Sequence, residues 1–294
     1  MAAAASAPVA LLPVLGLLFN AFTWGVSWWP FRQLQGQGLH PLWATALIYL
    51  LAVLFISLWR RASWAQLLRA PSLWWLVLAS GTTNAAFNWG VTIGDVVRVV
   101  LLFYLMPLWA VLLARLVLGE RLTPLAGIRV LLALAGAAIV LWPQTGALPW
   151  PGTLAEGLGV LGGFAFALNN VMLRREAHQP ELARALAMFL GGAVVAGLLA
   201  LALGAQGLVP MPPPPAWPWV AGALGLGALF LLSNLTLQYG AARLNANATA
   251  VVMVTEVLFA SVSAVLLGAG QLSLPLMLGG ALIVSAALLS VFER

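Results

Sequence analysis

Ten apolar runs follow one another along this chain, each near the roughly 20 residues that an α-helix needs to cross a hydrocarbon core of about 30 Å. They occupy residues 9–31, 41–59, 73–93, 96–118, 124–142, 153–173, 183–203, 217–239, 246–268 and 274–292. Only helices and closed barrels satisfy their own backbone groups in lipid, and runs this long without two-residue alternation read as helices. A soluble fold could not cover a surface drawn from 63% hydrophobic and 7% charged residues, whereas a chain solvated by lipid has no such need. The fold class expected is all-α, a polytopic membrane protein with ten transmembrane spans. The first run has no basic region before it and is too long for a cleaved signal, so it reads as span 1.

The second half of the chain repeats the first. Shifting the sequence by 150 positions lays Thr83-Asn84 on Ser233-Asn234, Asn88-Trp89-Gly90 on Gln238-Tyr239-Gly240, and Leu122-Thr123 on Leu272-Ser273 without a gap. In so apolar a chain Leu and Ala identities carry little weight, so these polar and aromatic matches carry the duplication. More weakly, Phe22 to Ser27 can be laid on Phe164 to Asn169. The division is a first repeat over 1–142, an outer linker over 143–152 and a second repeat over 153–294.

Charge sets the expected orientation. All 13 basic residues are arginine, and the loops on the N-terminal side hold Arg60, Arg61, Arg69, Arg121, Arg174, Arg175, Arg184, Arg243 and Arg294, with Arg115 close by. The other side has Arg32 and Arg98 alone. By the positive-inside rule both termini are cytoplasmic, and arginines beside apolar spans exclude a nucleic-acid face as the reason for the basic balance. Five spans per repeat, an odd number, force the two halves to cross the membrane in opposite senses. That is the inverted-repeat plan of many secondary transporters, with substrate held at the midplane between repeats.

The segments Leu105-Met106-Pro107 and Leu118-Gly119-Glu120-Arg121-Leu122-Thr123, followed by Gly136, resemble the EamA repeat of the drug/metabolite transporter superfamily. The resemblance covers almost the whole chain and implies ten helices in two five-helix repeats. Asn88-Trp89-Gly90 and Gly94 to Arg98 look most like bacterial exporters of aromatic and other amino acids, the YddG type. The second repeat departs from the pattern: its proline position is Val257, and Ala269-Gly270 stands where Gly119-Glu120 stands in the first.

Among candidate site residues, Glu256 comes first. A carboxylate at bilayer depth costs a few kcal/mol, so it should meet a cavity or a partner, as a contact for a substrate amine or as a coupled protonation site. The bland alternative is a protonated glutamate hydrogen-bonded between helices. Asn84 and Asn88 are one turn apart in span 3, and Asn234 and Gln238 repeat them in span 8, so each pair shares a face. They either surround a binding site on the pseudo-twofold axis or hold helices together. Asn169 and Asn170 point about 100° apart, so one of them could line the pathway. Trp24, Trp89, Tyr104, Tyr239 and Phe259, with Trp28 and Trp109, fall inside spans, where they form either a pocket or ordinary packing. Trp59, Trp64, Trp74 and Trp75 suit an interfacial belt.

Asp95 falls where span 4 begins and reads as a helix cap. Arg98 either snorkels outward or holds an outer gate or a substrate carboxylate. Glu120 and Arg121 in the inner hairpin turn are a gating or structural pair, and Pro107 kinks span 4. No phosphate-binding loop, zinc-protease motif or nucleophile elbow occurs, and the absence of cysteine removes thiol chemistry. The expectation is therefore a non-enzymatic carrier without cofactor or metal. It would export amino acids or related metabolites as a monomer in a bacterial cytoplasmic membrane. Export of a drug or lipid-linked metabolite is the alternative, and a lipid-acting enzyme the reading from another class.

Overall fold

The computed structural model describes residues 11–119, 123–141, 150–241, 243 and 252–289, and the side chains of Leu141, Gln238 and Ala241 lie outside that description. Among the described residues every regular element is helical. In order they are α1 (Leu11–Val26), α2 (Trp28–Gly36), α3 (Pro41–Trp59), α4 (Ala62–Arg69), α5 (Leu73–Ile93), α6 (Val96–Phe103) and α7 (Met106–Leu113). A short π-turn over Ala114–Leu118 follows, then α8 (Pro124–Leu141), α9 (Leu154–Arg175), α10 (Glu181–Ala205), α11 (Trp217–Ala241), α12 (Thr255–Leu266) and α13 (Leu274–Leu289). Glu120, Arg121 and the linker over 143–149 lie outside the described residues.

Among the described residues, six segments are long and apolar enough to cross a membrane: Leu11–Gly36, Pro41–Trp59, Val96–Leu118, Leu154–Arg175, Glu181–Ala205 and Trp217–Leu237. Pro124–Val140, Thr255–Leu266 and Leu274–Leu289 are shorter apolar helices. The surface of the bundle is apolar, with Leu11, Leu58, Leu116, Leu131, Leu258 and Leu274 all more than half exposed, as a lipid-solvated surface requires. The polar exception is α5, whose 21 residues include Ser80, Thr83, Asn84, Asn88 and Thr92, all buried. The exposed positions of α5 are Trp74, Trp75, Leu78 and Ile93, so none of these polar groups faces lipid. The protein is a polytopic, all-helical membrane protein.

Helix ends follow local chemistry. Asp95 accepts from the Arg98 amide at 2.9 Å and so caps α6, and His40 accepts from the Leu42 amide ahead of Pro41 at the start of α3. Thr153 and Glu156 form a reciprocal capping box on α9. Gly119, at φ 71°, turns the chain out of the π-turn in the left-handed conformation that glycine takes without strain.

The main helix pairs cross between the two halves of the chain. α5 packs on α9 and α10, α3 on α10, α1 on α11 and α12, α6 and α7 on α9, and α8 on α13. Several crossings bring backbones together at glycine. A Cβ on Gly136 would lie 2.6 Å from the Gly279 carbonyl, and one on Gly279 would lie 2.7 Å from the Gly136 carbonyl. Such approach is a common way for helices to pack in lipid, where burying apolar side chains gives no advantage.

Candidate functional site

Besides the break at Ser27 between α1 and α2, two of the membrane helices are interrupted at corresponding places. The first interruption follows α6 at Tyr104-Leu105, where the Leu105 amide turns back to the Leu102 carbonyl. The second is at Val254, ahead of α12, where the Val257 amide bonds the Val254 carbonyl at 3.1 Å. Tyr104 and Val254 are the same position under the 150-residue shift. Pro107 sits in the first turn of α7, so it starts a new helix after the break rather than bending a continuous one. Its missing N–H leaves the Phe103 carbonyl without its usual helical partner. That carbonyl lies against Gly163 of α9, where any Cβ would overlap it. The second break has Val257 in place of proline, and there the Thr255 hydroxyl donates to the Val252 carbonyl at 2.6 Å.

The breaks meet. The Tyr104 hydroxyl lies 3.4 Å from Glu256 Oε2 and 3.4 Å from the Met253 carbonyl oxygen. Tyr104 is buried, and Glu256 is half-buried. α1 closes over the same point through Gly25, where an added Cβ would fall 2.8 Å from the Glu256 carbonyl oxygen and 2.8 Å from the Phe259 Cβ. Glycine is thus the residue that lets a third helix touch the interrupted backbone. Trp24 stacks on Phe230 with centroids 4.6 Å apart and meets Phe87 edge-on, while Phe87 and Phe166 pack against Phe103, the residue before Tyr104. The result is a carboxylate, a phenol and freed backbone carbonyls inside a largely aromatic wall. Such a set can hold an ammonium group or another cation by charge, hydrogen bonds and ring faces.

The other residues singled out in the sequence are spread more widely. Asn84 accepts from the Tyr49 hydroxyl and donates to the Ser80 carbonyl at 2.8 Å, and Asn88 donates to Thr45 at 3.1 Å, so both hydrogen-bond toward α3. Asn169 is 2% exposed, and its Oδ1 is buried without a hydrogen-bond partner. Asn234 is partly buried on α11, and the Gln238 side chain lies outside the described set. Tyr239 lies at 36% exposure with the Arg243 guanidinium 3.8 Å from its ring centroid, away from the Tyr104–Glu256 contact. Trp89 packs edge-on to His40, and Phe259 edge-on to Phe22. Asn20, which the sequence did not single out, is buried and donates to Ser233 at 2.7 Å, pinning α1 to α11.

At the end of the bundle opposite the arginine-rich loops, Arg32 and Arg98 are both engaged. Arg98 pairs with Glu156 at 2.5 Å, joining the start of α6 to the start of α9. Asp95 also accepts from the Gln271 amide at 3.3 Å, so the connection between α12 and α13 is drawn in as well. Arg32 donates to the Val91 and Gly94 carbonyls at the C-terminal end of α5 and stacks on Trp28, a favourable place for a cation. The Trp28 indole reaches Ser263 of α12 at 3.0 Å. This end is closed by side chains from both halves.

These features define a multi-pass membrane protein with a polar site where two broken helices touch. This chain is similar, over residues 11–142, to the EamA-like transporter family. It is 31% identical over 161 residues to the chloramphenicol-sensitive protein RarD of Pseudomonas aeruginosa, a match covering 47% of this chain and 52% of that one. It is 35% identical over 106 residues to an uncharacterized transporter of the same organism, covering 34% of this chain and 35% of the other. The matches thus span about half of the first relative and about a third of the second. The chain is also similar to a solved crystal structure with a TM-score of 0.60 and 20% identity, over 95% of both chains. That likeness is one of fold.

Proposed function

We propose that this protein is a secondary transporter exporting amino acids or related small metabolites across a bacterial cytoplasmic membrane. In this reading two inverted five-helix units, 1–142 and 153–294, rock about a midplane site, with both termini cytoplasmic and one chain sufficient. The carrying observation is the Glu256 carboxylate meeting Tyr104 at helix breaks 150 positions apart. A charged side chain inside a membrane is costly, and pairing it with interrupted helices is the arrangement by which carriers hold polar cargo. The helix pairing supports the two-unit reading. Exchanging each span for the one five further along turns α5 on α9 into α11 on α1, α6 on α9 into α12 on α1, and α8 on α13 into itself. In this setting the amides of Asn84, Asn88, Asn169, Asn234 and Gln238 supply the polar side of the pathway. Trp24, Trp89, Tyr104 and Phe259 supply its aromatic side, while Tyr239 stands outside it.

The test is release from liposomes holding the purified protein and a panel of labelled amino acids. Efflux of at least one amino acid well above protein-free vesicles is expected, and background release across the whole panel sinks this substrate class. A second reading is export of an aromatic drug, favoured by the name of the Pseudomonas relative and by the Trp24–Phe230 stack. Chloramphenicol belongs in the panel for that reason, and its efflux without that of any amino acid selects the second reading.

Alternating access requires the closed end to open, so the Arg98–Glu156 pair acts as its latch and must separate in each cycle. The chain contains no cysteine, so one introduced thiol reports that opening cleanly. Val100→Cys is buried one turn outward from Tyr104. Arg98→Gln in that background is expected to speed its maleimide labelling about threefold to tenfold, the range for losing a charged contact of roughly 1 kcal/mol. Unchanged labelling removes the latch role.

A further inference from the structure

On the arginine-rich side, three guanidinium groups bind nothing among the described residues. Arg60, Arg61 and Arg69 are exposed, and among the described residues none makes an ion pair or a side-chain hydrogen bond. They bracket α4, a helix held in one orientation by burial of Leu67 and Ser63 against its neighbours and by the Trp64 indole donating to Ser57 at 2.8 Å. At 1.5 Å per residue, Arg61 and Arg69 stand about 12 Å apart along that helix. Around them the surface is apolar and aromatic: Leu58 is 78% exposed, Trp59 67%, Leu68 64% and Trp75 54%. Of the acidic side chains near α4, Glu176 is buried and already engaged by the Ser72 hydroxyl at 2.7 Å, and Glu181, exposed at the start of α10, forms no ion pair with these arginines among the described residues.

Fixed cations beside exposed Trp and Leu, at the end of membrane helices, fit one partner chemistry. A phosphodiester meets the guanidinium forks while acyl chains lie along the indoles and leucines. A soluble acidic protein or nucleic acid would match the charge but leave the apolar rim unmatched. We propose that α4 with Arg60, Arg61 and Arg69 binds the headgroup of an anionic phospholipid in the leaflet it faces. Binding at this place joins α3, α4, α5 and α10, all of which contribute to the apolar cluster beneath Leu67. The lipid therefore stabilises the folded bundle by mass action.

The test places the full chain in nanodiscs of phosphatidylcholine alone, or with one quarter phosphatidylglycerol, and reads thermal unfolding together with lipids retained in native mass spectrometry. The wild type is expected to melt higher with phosphatidylglycerol and to carry it selectively. The triple variant Arg60→Gln, Arg61→Gln, Arg69→Gln is expected to lose that increment while melting as the wild type does in phosphatidylcholine. With about fivefold per arginine near a charged membrane surface, retention should fall on the order of a hundredfold. The corresponding lysine triple should keep most of the increment, and 1 M salt should erase it. No phosphatidylglycerol effect on the wild type, an undiminished effect on the glutamine triple, or an equal fall of that triple in both lipids would each overturn the proposal.

Discussion

Glu256→Gln is expected to leave the bundle folded and to cut transport at least tenfold, for whichever compound the liposome panel identifies. Glutamine has the shape of glutamate and keeps an oxygen for the Tyr104 hydroxyl, which lies 3.4 Å from Glu256 Oε2. Gly25 packs against the backbone at this position rather than the side chain, so the approach of α1 is untouched. What disappears is the carboxyl, the one group here able to carry a negative charge. Hydrogen bonds to charged groups contribute about 1.5–3 kcal/mol, which corresponds to roughly ten- to a hundredfold in rate or affinity when the cargo is cationic. Tyr104→Phe removes one hydroxyl and no charge, so a smaller loss, about two- to tenfold, is expected. The order matters more than either value. If Glu256→Gln transports as the wild type does while Tyr104→Phe is impaired, the carboxylate is only a structural acceptor and the cation-binding reading fails. Melting temperatures in detergent, measured on both variants, separate lost transport from lost folding.

How much of this site was legible in the sequence depends on which interaction is asked for. The mid-depth carboxylate needed no structure, because a charge in an apolar run is conspicuous. Pro107 announced an interruption in its own span, but Val257 gave no such sign, and the second break was visible only as the register mate of the first. That Asn84 and Asn88 share a face followed from their spacing. Periodicity says nothing about what lies opposite, and the partners turned out to be Tyr49 and Thr45 on α3. Arg98 was left between three roles because its partner, Glu156, is far away in the chain and looked like the start of another helix.

The same reasoning separates the helices that were readable from those that were not. Apolar runs gave α3 and α5 their limits to the residue, since helix and run end together at Trp59 and Ile93. The first run stopped at Phe31, yet α2 continues to Gly36, carrying Gln33 and Gln35 outward while Leu34 stays buried. α4 was read as arginine-bearing loop. Its eight residues have too little apolar content to stand alone as a helix, and tertiary burial of Leu67 supplies what local propensity does not. Tyr239 lay inside an apolar run and so read as interior. Its exposure and its contact with Arg243 depend on which way α11 is rotated, which an all-round apolar helix does not encode.

Gly191→Ala is expected to have the largest effect on stability of any single methyl added to this protein. α5 and α10 cross at Gly81 and Gly191 so closely that a Cβ on Gly191 would overlap the Val77 carbonyl, and one on Gly81 would overlap the Gly191 carbonyl. Neither obstacle is a side chain that can rotate aside. The helices themselves must separate, opening the packing that buries Val77 and Leu186 beside the crossing. Overpacking of a side-chain core costs about 1–3 kcal/mol, and a backbone obstacle belongs at or above the top of that range. Gly157 and Gly225 provide the control, being helical glycines with open space where a Cβ would go. There alanine should be neutral or stabilising by about 0.5–1 kcal/mol, because the helix gains from the lost flexibility of glycine and nothing is displaced. Fluorescence-detected size exclusion of the detergent-solubilised variants reads the difference directly. The expected result is a collapsed monodisperse peak for Gly191→Ala and an intact one for Gly157→Ala and Gly225→Ala. Equal behaviour of all three would mean that α5 and α10 do not cross backbone against backbone. The central, polar α5 would then lack the close contact that keeps its asparagines and threonines out of lipid.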